Sequence, residues 1–328
     1  MAKFKVGDIV VGNELADERH FFTVKGWKGE VVDINKHTMD VKSLEDGEIY
    51  PVFEDCFDIF EPTQVSISQI KTFKACRRAY YLRYHENLHP IEKSDALQTG
   101  SNYHERIEAL YKGQPIEPDY SKASAMSEAY AKYILPKLKI VKPEEKFTCN
   151  ISAEFQLIGR YDGIADDGNI VEHKTTGETS LESYEYDLQW DEQLLAYMLA
   201  SGKRKVYYTV CRKPNIRLKK DETEEEFYKR MVEWFDTDTD EKIRMFEVTR
   251  TDKEVEDFKN DLIALYPHLR ECEDERECYK NTTHCHRYGT RCEYAGVCMH
   301  YDRSLSYNEF EVRQREEYYG TTENDSFL

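Results

Sequence analysis

Two carboxylates and a lysine sit close together in the stretch Gly159-Arg160-Tyr161-Asp162-Gly163-Ile164-Ala165, Asp166-Asp167-Gly168, Asn169-Ile170-Val171-Glu172-His173-Lys174. Short apolar runs on either side of a polar turn signal read as a β-hairpin. Residues two apart on a strand face the same way, so Glu172 and Lys174 share a face, and pairing around the turn brings Asp162 near Glu172. Converging carboxylates repel, and a hard divalent cation with oxygen ligands relieves that repulsion. A lysine beside them can stabilise developing negative charge or orient a water. Taken alone the pattern is common, and an exposed ion pair near a turn is the more ordinary account of it.

The elements that would position these groups can be read around them. A helix is expected from about Thr99, with Gly100, His104 and Glu108 four apart on one face. A glycine one turn before the histidine lets another chain come close, and an imidazole suits Mn²⁺-type metals. A strand over Thr148–Leu157 feeds into Gly159, a helix over Asp187–Ala200 carries Gln193 and Tyr197 on one face, and Lys205–Cys211 is rich in β-formers. Strand, strand, strand, helix, strand suggests an α/β (α+β) domain whose mixed sheet is crossed by helices.

Two basic stretches stand out from a chain of net charge −18. One is an expected helix from Ile67 to Tyr81, capped by serines and running through Cys76, which carries Lys71, Lys74, Arg77 and Arg78. The other spans 201–220 and holds Lys203, Lys205, Arg212 and Lys213 among eight cations and no acid. Both are candidates for phosphate contact. The overall acidity argues against a protein that coats nucleic acid generally. No apolar run reaches membrane-spanning length, so a soluble, cytoplasmic protein without membrane contact is expected.

Five of the nine cysteines crowd into one segment, Cys272, Cys278, Cys285, Cys292 and Cys298, which in a reducing compartment points to metal before disulfide. Residues 1–61 read as a small β module. Gly7-Asp8-Ile9-Val10 and Lys25-Gly26-Trp27-Lys28-Gly29-Glu30-Val31 resemble SH3-like barrels. Trp27 there is either an exposed contact residue or part of the module's core. Residues 64–303 form the main domain, and 304–328 a polar tail, its last ten residues disordered or partner-binding.

Gly100-x-x-x-His104, Gly159-x-x-Asp162, Glu172-x-Lys174 and Gln193-x-x-x-Tyr197 occur in that order. Together they resemble the RecB-like branch of the PD-(D/E)XK nuclease superfamily over roughly residues 64–300. The resemblance implies a restriction-endonuclease-like mixed central sheet flanked by helices. It also implies a Mg²⁺- or Mn²⁺-dependent DNA nuclease, more an exonuclease than an endonuclease, acting in recombination, repair or replication. It assigns Asp162, Glu172, His104 and the His173 main-chain carbonyl to the metal, Lys174 to the attacking water, and Gln193 and Tyr197 to orienting Lys174 or the DNA. It implies a DNA substrate that is single-stranded or has free ends, with a helicase, annealing protein or single-strand binder as companion.

A subset of that branch holds a [4Fe–4S] cluster with one cysteine before the core and three after it. The resemblance puts Cys76, Cys285, Cys292 and Cys298 in those places, with Cys272 and Cys278 as bystanders. Six residues between Cys285 and Cys292 depart from the shorter spacing often found there. Zn²⁺ is the alternative, with Cys272, Cys278, His284 and His286 as further ligands. Two rival functions stay open: a non-catalytic DNA-binding or assembly subunit keeping the fold, and a zinc-binding interaction protein.

Overall fold

The computed structural model describes residues 3–19, 25–35, 38–92, 94–287, 290–299 and 307–313. The chain divides into two compact units, Met1–Gln64 with Asn150–Gln156, and Val65–Cys149 with Leu157–Leu328.

In the first unit, β1 (Ile9–Gly12), α1 (Glu14–Arg19), β2 (Lys28–Ile34), β3 (Thr38–Ser43), β4 (Ile49–Phe53) and β5 (Phe57–Ile59) follow one another. The strands pair antiparallel in the order β4-β3-β2-β1-β5. β4 and β5 are the two edges, and among the described residues no ladder joins them into a barrel. Alternate residues Val31, Met39, Val41 and Val52 are buried in one core with Trp27. Trp27 meets Tyr50 and Phe57 edge-on, so it is a core residue and not a surface contact.

The second unit is built on a mixed sheet. Its strands are β6 (Thr63–Ser66), β8 (Ile140–Asn150), β9 (Phe155–Ala165), β10 (Ile170–Thr176), β11 (Lys205–Arg212) and β12 (Ile243–Thr249), with the short β7 (Leu88–Pro90) apart. The order is β12-β11-β10-β9-β6, with β8 also on β9. β10 runs parallel to β11, β9 runs antiparallel to β10, and β12 runs antiparallel to β11.

Helices cover both faces, as strand alternation demands. Val171 and Cys211 face a core built with α4 (Asp95–Tyr111) and α5 (Lys122–Tyr133). Ile170, Tyr208 and Val210 face the opposite core, with α6 (Glu182–Asp187), α7 (Glu192–Ser201) and, beyond α8 (Glu224–Trp234), α9 (Asp252–Glu271). Among the described residues no helix is long and apolar enough to cross a membrane.

Three local departures from the sequence reading matter. The expected helix through Cys76 is two, α2 (Ile67–Ala75) and α3 (Arg77–Tyr84), because Cys76 is extended at φ −163°, ψ 114°. α4 starts at Asp95 and not near Thr99, since Ser94 caps it through the Leu97 N–H at 3.3 Å. The helix expected over Asp187–Ala200 is broken at Leu188–Trp190, after which Asp191 caps α7. Near the C-terminus come β13 (His286–Arg287), β14 (Thr290–Arg291), α10 (Ala295–Met299) and β15 (Phe310–Val312), and β15 pairs with β7 inside the stretch read as a tail. Residues 314–328 lie outside the described residues.

Candidate active site

The β9–β10 hairpin closes as the turn signal requires. Gly168 takes φ +79°, and its N–H donates to the Ala165 carbonyl at 2.9 Å. The ladder pairs Ile164 with Ile170 and Gly163 with Val171. At the next position the Asp162 carboxylate, not a main-chain carbonyl, accepts the His173 N–H at 2.6 Å. That substitution fixes Asp162 beside Glu172 and Lys174.

Glu172 is buried at 1% exposure. Its Oε1 accepts from the Gln193 amide at 3.0 Å and meets the Lys174 ammonium. Gln193 also donates to the Tyr197 hydroxyl at 2.7 Å, which donates to the Arg160 carbonyl at 3.1 Å. Gln193 and Tyr197 therefore brace Glu172 rather than Lys174. From α4, His104 Nδ1 stands 3.6 Å from Asp162 Oδ1, an ion-pair distance. A side chain on Gly100 would press on Thr175 Oγ1 at 3.3 Å, so this glycine is what lets α4 approach β10. The His173 ring points elsewhere: Nδ1 meets Thr209 Oγ1 at 2.7 Å, and Tyr130 packs edge-on.

The electrostatics separate the two acids. Burial raises Asp162, but His104 and then His173 and Lys174 more than offset it and hold it well below the carboxylate range. Burial and the nearby Asp162 push Glu172 up to about 7, against the pull of Lys174. Burial lowers the Lys174 ammonium, yet Glu172 and Asp162 carry it above its ordinary range. Burial, helped by His104 and Lys174 and opposed by Asp162, takes His173 down to about 4. Burial lowers His104 too, and Asp162 reverses this to a net rise.

One carboxylate nearby escaped the sequence reading. Glu144 on β8 has φ +54°, pairs with Arg160 Nε at 2.6 Å, and rises to about 7 through burial and then Asp162. It sits in Lys142-Pro143-Glu144-Glu145-Lys146, which reads as a solvated charge run; nothing in those residue types signals the left-handed backbone.

Among the described residues, no three His, Cys, Asp or Glu side chains stand close enough to hold a metal ion as they are. The donor set nevertheless fits a hard cation. It is two carboxylates and an imidazole, and Glu172 Oε2 is buried without any hydrogen-bond partner.

The cations put forward for phosphate contact are mostly committed. Lys71 binds Asp191, Lys74 binds Glu192, Arg77 pairs with Glu271 and stacks on Phe73 and Tyr279, and buried Arg78 pairs with Glu275. Lys205 meets Asp167 and Glu247, and Arg212 donates to the Glu241 carbonyl over Trp234. Lys203 and Lys213 have no carboxylate partner among the described residues.

Cys76, Cys285, Cys292 and Cys298 are all free thiols. Cys76 Sγ accepts the Asn281 N–H at 3.4 Å, and Cys285 Sγ lies 3.7 Å from the Asn281 carbonyl. Cys292 and Cys298 pack with Cys76, Leu82, Leu88 and Tyr294. Burial raises both thiols, and each feels Cys76 and Cys285. Cys272 and Cys278 form a disulfide with each other, where the crowding pointed to metal before disulfide, and this removes both as zinc ligands.

No curated protein matches the chain. Among solved structures it is similar to an alkaline exonuclease from Laribacter hongkongensis at 14% identity, covering 64% of this chain and 90% of that one, TM-score 0.32. It is also similar to a proposed exonuclease from Eubacterium rectale at 12% identity, covering 72% and 87%, TM-score 0.44. A phage-related exonuclease from Haemophilus somnus 129PT gives 13% identity, 66% and 96% coverage and a TM-score of 0.33. The family model of the PD-(D/E)XK nuclease superfamily matches residues 64–299, most of the chain and all of the site described above, and the chain belongs to that superfamily.

Proposed function

We propose that this protein is a divalent-metal-dependent DNA nuclease, an exonuclease of the RecB-like branch. The observation that carries the reading is Glu172: a buried carboxylate with one oxygen braced by Gln193 and Lys174 and the other unpartnered, beside Asp162. Asp162, Glu172, His104 and the His173 carbonyl would hold Mg²⁺ or Mn²⁺, which supplies Lewis acidity and a more acidic water. Lys174 keeps its proton and supplies positive charge where the phosphate becomes more negative. Gln193 and Tyr197 keep Glu172 from turning. The pairing of most cations narrows the proposed DNA path to Lys203 and Lys213.

Four free thiols gathered from both ends of the domain fit the thiolate chemistry of a [4Fe–4S] cluster, held by Cys76, Cys285, Cys292 and Cys298. Its role would be to staple the chain ends. Zinc would use the same thiols. Residues 64–303 are proposed as the nuclease domain, and 1–61 as an SH3-like docking module for a companion protein.

Cleavage of end-labelled single- and double-stranded DNA with Mg²⁺, Mn²⁺ or EDTA tests the reading. Metal-dependent release of nucleotides from ends is expected. No cleavage by folded, metal-loaded protein would leave the non-catalytic subunit in its place.

A further inference from the structure

The cavity holding His104, Lys174 and Gln193 has a volume of about 560 Å³ and extends past them to Lys71, Trp190 and Lys213. Its three lysines differ. Lys174 is taken by Glu172 and Lys71 by Asp191. Lys213 has no carboxylate partner among the described residues, although Glu178 and Asp187 share the wall. Burial and then the neighbouring Lys122 act against its charge. A half-buried ammonium beside a second cation is stabilised by an anion that joins it.

Trp190 is the second observation. It is 71% exposed, at the end of the turn Leu188–Trp190 between α6 and α7. That turn is anchored on both sides: Leu188 is buried in the core, and Asp191 caps α7 while holding Lys71. Three residues on, Gln193 reaches Glu172. A largely exposed indole lining a charged cavity contributes little to packing, and a free π face is what an unpaired base stacks on.

We propose that Trp190 and Lys213 form a nucleotide subsite, the indole stacking one base and Lys213, with Lys122 behind it, receiving a backbone phosphate. A base on the indole has left its duplex partner, so the substrate entering this cavity is an unpaired strand or a frayed end. The proposal rests on the phosphodiesterase reading above and names its substrate class.

The test is fluorescence anisotropy of a labelled single-stranded thymidine oligonucleotide and an abasic one of equal length, in Ca²⁺, over a salt series. The wild type should prefer the base-bearing strand by about tenfold or more. Trp190→Ala should remove that preference, and Trp190→Phe should keep most of it. Lys213→Ala should weaken both strands alike and lower the salt slope by roughly one. A preference that survives Trp190→Ala, or a Lys213→Ala protein with unchanged affinity and slope, overturns the subsite. So does a wild type that binds neither strand. Cleavage is assayed on the same protein preparations with Mg²⁺ or Mn²⁺ in place of Ca²⁺: cleavage with the preference intact in Trp190→Ala sinks the subsite alone, whereas Trp190-dependent binding without cleavage sinks the phosphodiesterase reading alone.

Discussion

The carboxylate site and the thiol region are built in opposite ways. In the first, the groups already hold one another. Asp162 takes the His173 N–H, Glu172 takes Gln193 and Lys174, and α4 brings His104 to Asp162. In the second, the thiols meet little besides main-chain atoms of Asn281 and apolar side chains. The first constellation is braced by its own hydrogen bonds and ion pairs, as electrostatic preorganisation requires. The second lies where residues about two hundred positions apart are joined by bonds such as Asn281 to the Ala75 carbonyl and Tyr294 to the Leu88 carbonyl, in which the thiols take little part, so a group added on the thiols would tie the two segments further. Loss of a charge at the first should therefore cost chemistry and spare the fold; loss of a thiol at the second should do the reverse.

Glu172→Gln breaks the comparison most sharply. Cleavage should fall by about 10³-fold. The melting temperature should hold or rise, because burial and Asp162 both oppose the charge that the substitution removes. Equal losses of activity and stability would erase the contrast.

Cys292→Ser should show the opposite signature. The iron of the proposed cluster should be lost and the melting temperature should drop by more than about 10 °C, while cleavage per folded molecule at low temperature stays within about threefold. Iron content and thermal melts read this directly. Retained iron with an unchanged melt would remove the thiol region from the account.

The smallest effect concerns Glu144. Its carboxyl titrates in the folded chain at about 7, above its ordinary value, so the native state binds the extra proton across that interval. Stability contributed by this group is present below the ordinary glutamate range and is lost as pH rises through about 7, on the order of 1–3 kcal/mol. Glu144→Gln should narrow the gap between melting temperatures at pH 5 and pH 8. An unchanged gap would mean Arg160 neutralises Glu144 fully.

Much of the carboxylate site was legible because its signals are local. The turn at Gly168 and the alternation of β10 place Glu172 and Lys174 on one face, and four-residue spacings place His104 and Gln193 on their helices. What those residues touch was less legible: Gln193 braces Glu172, a choice set by how α7 packs on β10. Pairing across the chain was not legible at all. Arg78 finds Glu275 and Lys71 finds Asp191, so a stretch that reads as a basic surface is largely neutralised in the fold. The break at Cys76 was hidden because its neighbours on both sides form helices well, and the contacts around it, Asn281 to the Ala75 carbonyl and to Cys76 Sγ, come from far along the chain.

The central claim is that Asp162 and Glu172 share one divalent cation. Calorimetric titration of Mn²⁺ into the wild type and Glu172→Gln tests it most directly. The account predicts a single site in the wild type, weakened at least about tenfold in the variant. Equal affinity in both proteins would contradict it.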